Sequence, residues 1–152
     1  MIVDEQNGFR QGRACVDHIF SLSTVVDQKM SNNGNVFASF IDMKKAFDWV
    51  DRELLFIKLL ENNIGGNLLN SIRALYDNSS ACIQLDGICT DYFDVSSGVK
   101  QGDNLSPTLF NLFINDLSNE IKLLNKGIKI DDTEVSILLY ADDICLLARS
   151  EE

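Results

Sequence analysis

The spacing of apolar residues predicts three helices in the first half of the chain. Cys15 to Met30 carries apolar residues at intervals of three and four, and Asn32-Asn33-Gly34 follows with residues that end helices. Glu53 to Asn63 and Asn67 to Asp77 show the same spacing. Gly65-Gly66 separates these two stretches and permits a sharp turn, so they predict a helical pair.

A fourth helix is predicted where Ser106 and Pro107 precede another apolar stripe. A serine can cap a helix and a proline fits its first turn, and the stripe that follows continues to Leu124. This pattern is typical of a helix that packs flat on a sheet. Earlier in the chain, Asn35 to Met43 contains an apolar run that predicts a buried strand with Asp42 at its end.

Two hairpins are predicted in the second half of the chain. Ala81 to Leu85 and Ile88 to Val95 alternate in polarity around Asp86-Gly87, which is a favoured type I′ turn pair. Val135 to Ala148 is almost continuously apolar except at Asp142-Asp143, which predicts two central strands joined by a tight acidic turn. The resulting order of elements predicts an α+β fold with helices packed on one face of an antiparallel sheet.

Length and composition are typical of one folded domain that extends over residues 1–152. The chain is 45% hydrophobic and 24% charged and has a single proline. Its formal net charge of −10 has the wrong sign for a protein that holds nucleic acid mainly by neutralising phosphates. Because it has no apolar run of membrane-spanning length and no basic leader, we expect an intracellular protein, cytoplasmic or nuclear, that is neither secreted nor membrane-bound.

The cysteines and the single histidine do not have the spacing of zinc ligands. The chain has no Cys-x-x-Cys pair, and its four cysteines are scattered, at Cys15, Cys82, Cys89 and Cys145. Free thiols are expected. A bridge between Cys82 and Cys89 is the less favoured alternative, because the predicted turn places Gln84, rather than Cys82, opposite Cys89. His18 is predicted to lie on a helix surface without a partner for acid–base chemistry.

Acidic residues interrupt or end the apolar runs at two places. Asp142-Asp143 lies inside one run, and Asp42 ends another. Three carboxylates that meet at strand ends would repel one another, and divalent cations relieve such repulsion. With oxygen ligands only, Mg²⁺ is favoured, and two ions about 3.5–4 Å apart can clamp both oxygens of a phosphoryl displacement. The acids therefore indicate nucleotidyl transfer, with an ordinary exposed turn as the alternative interpretation of Asp142-Asp143.

Four segments in order along the chain resemble the reverse transcriptase of LINE-like, jockey-type non-LTR retrotransposons. They are EQNGFR at residues 5–10, FIDMKKAFD at 40–48, GVKQGDNLSP at 98–107 and YADD at 140–143. One departure is Asp103-Asn104, which stands where the family often has cysteine-proline. The resemblance implies a polymerase palm, that is, a ferredoxin-like antiparallel sheet with helices on one face, together with part of the fingers.

The resemblance also implies which acids would bind metal. Asp42 and Asp142 would bind both Mg²⁺ ions, for which Mn²⁺ could substitute, and Asp143 would complete the acidic cluster. Asp48 lies six residues beyond Asp42 and is expected to cap or salt-bridge the segment that follows, rather than to bind metal.

Five further residues would bind substrate by this resemblance. Phe47 would lie under the incoming sugar and exclude a ribose hydroxyl, while Gln101 and Gly102 would line the nucleotide pocket. Tyr140 would pack near the primer terminus, and Arg10 could contact a template or nucleotide phosphate. The alternatives are ordinary core aromatic residues for Phe47 and Tyr140, a plain loop for Gln101-Gly102, and a solvated arginine.

The expected partners are an RNA template, a DNA primer and deoxynucleoside triphosphates. By the resemblance, the fingers segment upstream and the thumb downstream are missing from the 152 residues, so we expect weak or absent polymerase activity of the chain by itself. Two alternatives remain at this point. One is another two-metal enzyme on a palm fold, such as a nucleotidyl cyclase, and the other is a non-catalytic, decayed or domesticated fragment of a mobile element.

Overall fold

The computed structural model describes residues 2–151, which form two compact units. One unit, here called the discontinuous unit, comprises Met1–Ala46 and Phe113–Glu152, and the contiguous unit comprises Phe47–Leu112. This is a finer division than the single domain that the length predicts.

The four predicted helices are all present, with ends within two residues of the predicted positions. They are α1 (Cys15–Ser31), α2 (Arg52–Glu61), α3 (Gly66–Tyr76) and α4 (Ser106–Leu123). A short 3₁₀ helix at Ala46–Trp49 was not predicted. Within residues 2–151, none of the helices has the combination of length and apolar content needed to cross a bilayer.

The strands are short and pair in antiparallel fashion. They are β1 (Phe37–Asp42), β2 (Ser80–Ala81), β3 (Gln84–Leu85), β4 (Ile88–Cys89), β5 (Phe93–Asp94), β6 (Ile128–Ile130), β7 (Thr133–Val135), β8 (Ile137–Tyr140) and β9 (Asp143–Ala148). The largest sheet described has the order β1-β9-β8, and the other strands form the pairs β2-β5, β3-β4 and β6-β7. The mixture of separate helices and antiparallel strands confirms the α+β class.

The hairpin of β3 and β4 follows the prediction from its turn residues. Asp86 and Gly87 have φ values of 49° and 83°, as a type I′ turn requires at both central positions. The register places Gln84 opposite Cys89, as expected from a turn at these two residues. All four cysteines are free thiols, so Cys82 and Cys89 do not form a disulfide bond near this turn.

The prediction that β1 is a buried strand is wrong. Phe40 is 72% and Ile41 41% exposed, and only Phe37 in this strand is even half-buried. β1 lies at one edge of the sheet, and Phe40 and Ile41, which project from opposite faces, are both exposed, so the described residues cover neither face of this strand there. Of the two strands predicted to be central, β9 lies in the middle of this sheet, whereas β8 ends the strand order but is buried as its apolar sequence predicts.

The core of the discontinuous unit lies where α1 meets the three-stranded sheet. Val25 of α1 packs in one buried cluster with Ile128 of β6, Leu138 of β8, and Cys145 and Leu147 of β9. The hairpin of β6 and β7, which was not predicted, therefore supplies part of the cover of this sheet. Much of the apolar stripe of α1 faces solvent instead, at Val16, Ile19, Phe20 and Met30.

The difference in burial among the cysteines predicts a difference in their rates of alkylation. Cys15 and Cys89 are exposed, whereas burial raises the pKa of the Cys145 thiol and so lowers its thiolate fraction. Iodoacetamide at mildly alkaline pH should alkylate Cys15 and Cys89 first and Cys145 only in denaturant, as read by peptide mass spectrometry. Equal native rates at Cys145 and Cys15 would contradict the buried position of β9.

Candidate active site

The acidic turn, residues Tyr140–Asp143, connects β8 to β9 at one end of the sheet. Asp42 of β1 is the direct partner of Asp143 in β9, and Tyr140 of β8 is the partner of Asp143 on the other side. Because directly paired residues project from the same face of a sheet, these three side chains lie side by side. Asp142 lies beside them in the two-residue loop, so the pairing brings together the ends of β1 and the hairpin as the motifs predict.

The three carboxylates are more accessible than their apolar flanks predict. Asp42 and Asp143 are exposed and Asp142 is half-buried. This corrects the expectation of buried charges, and the cause is that the strand ends lie at the surface of the unit. Within residues 2–151, none of the three carboxylates has a side-chain hydrogen bond or an ion pair, and no three side chains of His, Cys, Asp or Glu form a preformed metal site.

The donor set at this end of the sheet nevertheless fits Mg²⁺. Asp42 and Asp143 offer carboxylate oxygens from adjacent positions across two strands, and Asp142 is next in sequence. Mg²⁺ retains several waters and usually takes one or two carboxylates together with substrate phosphates, rather than a closed protein cage. An open pair of strand ends with free carboxylates therefore suits Mg²⁺ better than it suits zinc, for which thiolate and imidazole ligands are absent here.

The loop of the acidic turn contains a strained residue. Ala141 has a φ of 56°, at the first central position of a two-residue hairpin loop, where glycine is usual. For a residue with a Cβ this left-handed conformation costs about 1–2 kcal/mol. Its backbone N–H donates to Gln6 Oε1 at 2.9 Å, and its carbonyl accepts from Gln6 Nε2 at 3.1 Å.

Gln6 belongs to an N-terminal segment that lies along β8. Gln6 forms a parallel bridge with Leu139, the Asn7 amide donates to the Leu139 carbonyl, and the Leu139 amide donates to the Glu5 carbonyl, both at 2.9 Å. Glu5 is in turn held by Lys122 Nζ of α4 at 3.0 Å. Sequence reasoning placed this segment next to the palm by resemblance alone and missed its contact with the turn.

His18 differs from its prediction as an unpartnered surface residue. It is half-buried in α1, and both ring nitrogens have partners: Nε2 lies 2.9 Å from the Leu139 carbonyl and Nδ1 lies 3.2 Å from Asn7 Nδ2. A carbonyl can only accept, so Nε2 carries the proton and Nδ1 accepts from the Asn7 amide group. His18 therefore supports the N-terminal segment and β8 together.

Arg10 also belongs to this segment and is half-buried. One terminal nitrogen of its guanidinium donates to the carbonyls of Val3 and Gln6 at 2.7 and 3.1 Å, and the other lies 3.8 Å from a carboxylate oxygen of Asp4. The predicted phosphate contact would have to use the remaining N–H groups. Tyr140, on the opposite side of Asp143 from Asp42, is 37% exposed and so is accessible to a ligand.

In the contiguous unit, the loop at residues 98–102 is docked on the 3₁₀ helix. The amide of Gly98 donates to the Val50 carbonyl at 2.8 Å, and the amide of Val99 donates to the Phe47 carbonyl at 2.9 Å. Gly98 has a φ of 83°, and a Cβ there would lie 2.8 Å from the Asp48 carbonyl oxygen, so the close approach requires glycine.

Gln101 and Gly102 lie at the exposed end of this loop. Gln101 Nε2 donates to Asp48 Oδ1 at 3.0 Å. Of the two roles expected for Asp48, a cap or a salt bridge to the segment that follows, the cap is wrong, since Asp51 accepts from the Leu54 amide at the start of α2. Gly102 has a φ of 87°, and none of residues 2–151 lies within 4 Å of an added Cβ, so its backbone is open to an incoming ligand.

Phe47 is half-buried and its ring stacks on Phe110 of α4, with ring centroids 4.6 Å apart. The structure therefore gives this residue a packing partner and leaves part of its surface accessible. Its role at the sugar stays a prediction.

Arg52 organises the contiguous unit and was not singled out from the sequence. Its guanidinium donates to the carbonyls of Tyr76, Val95, Ser97 and Gly98 at distances between 2.7 and 3.3 Å and lies over the Tyr76 ring. One cation thus holds three carbonyls of residues 95–98 against the end of α3, which explains how the start of the 98–102 loop keeps its position. No local sequence signal marks such a residue, because all its partners are backbone atoms more than 20 positions away.

The predicted site residues thus fall in two groups. The discontinuous unit contains Asp42, Asp142, Asp143, Tyr140 and Arg10, and the contiguous unit contains Phe47, Gln101 and Gly102. In the discontinuous unit the strand pairing brings Asp42, Asp143 and Tyr140 side by side, and in the contiguous unit Gln101 is bonded to Asp48, the neighbour of Phe47 in sequence.

Comparison with known proteins shows that both groups lie within one family match. All of residues 1–152 match the family described as reverse transcriptase (RNA-dependent DNA polymerase). The chain is 26% identical over 147 residues to the Pol polyprotein of the R2 retrotransposable element of Nasonia vitripennis, covering 97% of this chain and 14% of that protein. It is 25% identical over 146 residues to the RNA-directed DNA polymerase from mobile element jockey of Drosophila melanogaster, covering 96% of this chain and 15% of that protein.

A solved structure of apo telomerase from Candida tropicalis, truncated from its C-terminal domain, shares the fold. The TM-score is 0.69 over 97% of this chain and 30% of that chain, at 14% sequence identity. These findings confirm both the predicted palm-type α+β fold and the resemblance to reverse transcriptases of non-LTR retrotransposons. The chain belongs to the reverse transcriptase family.

Proposed function

We propose that this chain is the catalytic part of an RNA-directed DNA polymerase that acts in retrotransposition. It would add deoxynucleotides to the 3′-hydroxyl of a DNA primer on an RNA template. The observation that carries the proposal is the strand register, which places Asp42 beside Asp143 at the sheet end that also bears Asp142. The full-length family match supports it and favours a reverse transcriptase over a nucleotidyl cyclase.

The three carboxylates, Asp42, Asp142 and Asp143, would hold two divalent ions. Bound there, Mg²⁺ or Mn²⁺ would help to activate the primer hydroxyl and would neutralise charge on the departing pyrophosphate. The protein contributes mainly position and charge. The pairing of β1 with β9 sets the spacing of Asp42 and Asp143, and the two-residue loop sets the direction of Asp142.

The substrate contacts would come from residues that the structure leaves accessible. Tyr140 shares the sheet face of Asp42 and Asp143, so it would pack near the primer terminus. Phe47 would contact the sugar of the incoming nucleotide, and Gly102 would let the backbone approach it. Gln101 would exchange its bond with Asp48 for the nucleotide.

The net charge determines how nucleic acid would be held. With a formal net charge of −10, these 152 residues supply few cations for a template and primer. The relatives are longer proteins, of which this chain spans 14–15%. We propose that much of the basic surface for the RNA–DNA duplex lies in other parts of such a polyprotein.

Metal binding is the direct test of the proposed site. Mn²⁺ at about ten times its dissociation constant should raise the melting temperature of the chain by about 3–5 °C, because a ligand that binds only the native state stabilises it. Asp42→Asn should remove most of this shift. The matched control is Asp132→Asn, an exposed acid in the turn between β6 and β7 of the same unit. A shift of equal size in all three proteins would show that Mn²⁺ binds elsewhere.

A further inference from the structure

We propose that Gln6 is a positioning residue for the acidic turn, which keeps Ala141 in its left-handed conformation and thereby aims the Asp142 carboxylate. The inference rests on the proposed function of the three carboxylates. Gln6 is 0% exposed, and one side-chain amide satisfies both the N–H and the carbonyl of Ala141, across 135 residues of sequence.

The geometry of Gln6 leaves it little freedom. Its Oε1 also accepts from the Gly8 amide at 2.7 Å, so the side chain is held at both ends of the amide group. Gly8 packs directly on the turn, and a Cβ at this position would lie 2.2 Å from the Ala141 nitrogen. The side chain of Gln6 and the backbone of Gly8 therefore form one surface against which Ala141 is fitted.

The position of this surface is itself determined by several contacts. Asn7 bonds to Leu139, His18 bonds to both Asn7 and Leu139, and Arg13 donates to Asn7 Oδ1 at 3.4 Å. Gln6 is consequently fixed relative to β8, the strand that leads into the turn. Because its position is fixed by several contacts, Gln6 can keep Ala141 in an unfavourable backbone conformation.

The conformation of Ala141 matters because the loop has only two residues. Tyr140 and Asp143 are paired across the sheet, so their directions follow from the strands. Asp142 has no such pairing, and its Cβ direction depends on the dihedral angles of Ala141 before it. If Ala141 relaxed to a negative φ, the Asp142 carboxylate would move relative to Asp42 and Asp143 while both strands stayed in place.

Gln6→Met tests the role, because methionine keeps the volume and removes all three hydrogen bonds. We expect Mn²⁺ affinity to fall at least tenfold, measured by isothermal titration on the 152-residue chain, with the far-ultraviolet circular dichroism unchanged. Glycine adopts positive φ freely. The double variant Gln6→Met/Ala141→Gly should therefore recover part of the lost affinity, whereas a merely structural role of Gln6 would give no such rescue.

The control is Gln28→Met in α1, a half-buried glutamine of the same unit whose Oε1 has no hydrogen-bond partner in the described residues. Wild-type Mn²⁺ affinity in Gln6→Met, or an equal loss in Gln28→Met, would overturn the inference. If the wild-type chain binds no Mn²⁺, the proposed function fails instead. The HN–Hα coupling of Ala141 then decides: a changed dihedral angle in Gln6→Met supports the positioning role, and an unchanged one overturns it.

Discussion

Asp142→Asn is expected to reduce RNA-templated primer extension by on the order of 10³-fold or more, without unfolding the protein. Asparagine has the same shape as aspartate but lacks the negative charge that would hold a divalent ion at the transferred phosphate. The half-buried Asp142 carboxylate makes no side-chain hydrogen bond within residues 2–151, so its replacement removes no described contact. The loss should therefore appear in catalysis and not in stability.

The measurement is extension of a DNA primer on an RNA template with deoxynucleoside triphosphates, made with a polyprotein that contains this chain. A melting curve of the same preparation shows whether the variant is folded. Asp132→Asn again provides a control with the same change in charge. Consumption of ATP or GTP without a template would instead indicate a cyclase. Wild-type extension by Asp142→Asn would refute the assignment of this turn as the catalytic centre.

Gly8→Ala should be the most destabilising single-methyl change in the discontinuous unit. The new Cβ would lie 2.2 Å from the nitrogen and 2.9 Å from the Cα of Ala141. Both are backbone atoms, so no side-chain rotation can relieve the overlap, and such overpacking costs about 1–3 kcal/mol or more. Because the turn must move away, Mn²⁺ affinity should fall together with stability.

Gly12→Ala separates this clash from the intrinsic cost of replacing glycine. Gly12 has a φ of 74°, but no atom of the described residues lies within 4 Å of an added Cβ, so its replacement introduces backbone strain alone, about 1 kcal/mol. Urea unfolding should therefore give a clearly lower free energy of unfolding for Gly8→Ala than for Gly12→Ala. The opposite ranking would show that the N-terminal segment does not lie against the turn in solution.

The helices could be predicted from the sequence because their signals are local. Apolar periodicity and the residues that end helices placed the limits of α1 and α3 within two residues, and the pair Asp86-Gly87 determined its turn and register. These features depend on neighbours fewer than five positions apart. The hairpin of β6 and β7 escaped prediction because its three-residue strands are too short to show a period and its turn, Asp131-Asp132, lacks the Asp-Gly pair that marks the hairpin of β3 and β4.

The burial of β1 could not be predicted in the same way. An apolar run has the same sequence whether the strand lies in the middle of a sheet or at its edge, and the order β1-β9-β8 depends on contacts about 100 residues apart. The pairing of Asp42 with Asp143 was foreseen because charges that interrupt or end apolar runs call for an explanation, while their role in metal binding stays a prediction. Gln6 was not foreseen, since a glutamine in an aperiodic segment has no signal until its partner, 135 residues away, is known.

The two units also differ in when all of their residues have been synthesised. All residues of the contiguous unit, Phe47–Leu112, are synthesised before β8 and β9, whereas the acidic turn needs both Gln6 and Ala141. At about 5–20 residues per second, the ribosome takes on the order of ten seconds to make the intervening chain. Throughout that interval β1 lacks its partner strand β9 and Gln6 lacks its partner Ala141, so the acidic end of the sheet cannot assemble until β9 has been made. An unpaired strand exposes its backbone hydrogen-bonding groups, so we expect β1 to need protection from aggregation during synthesis.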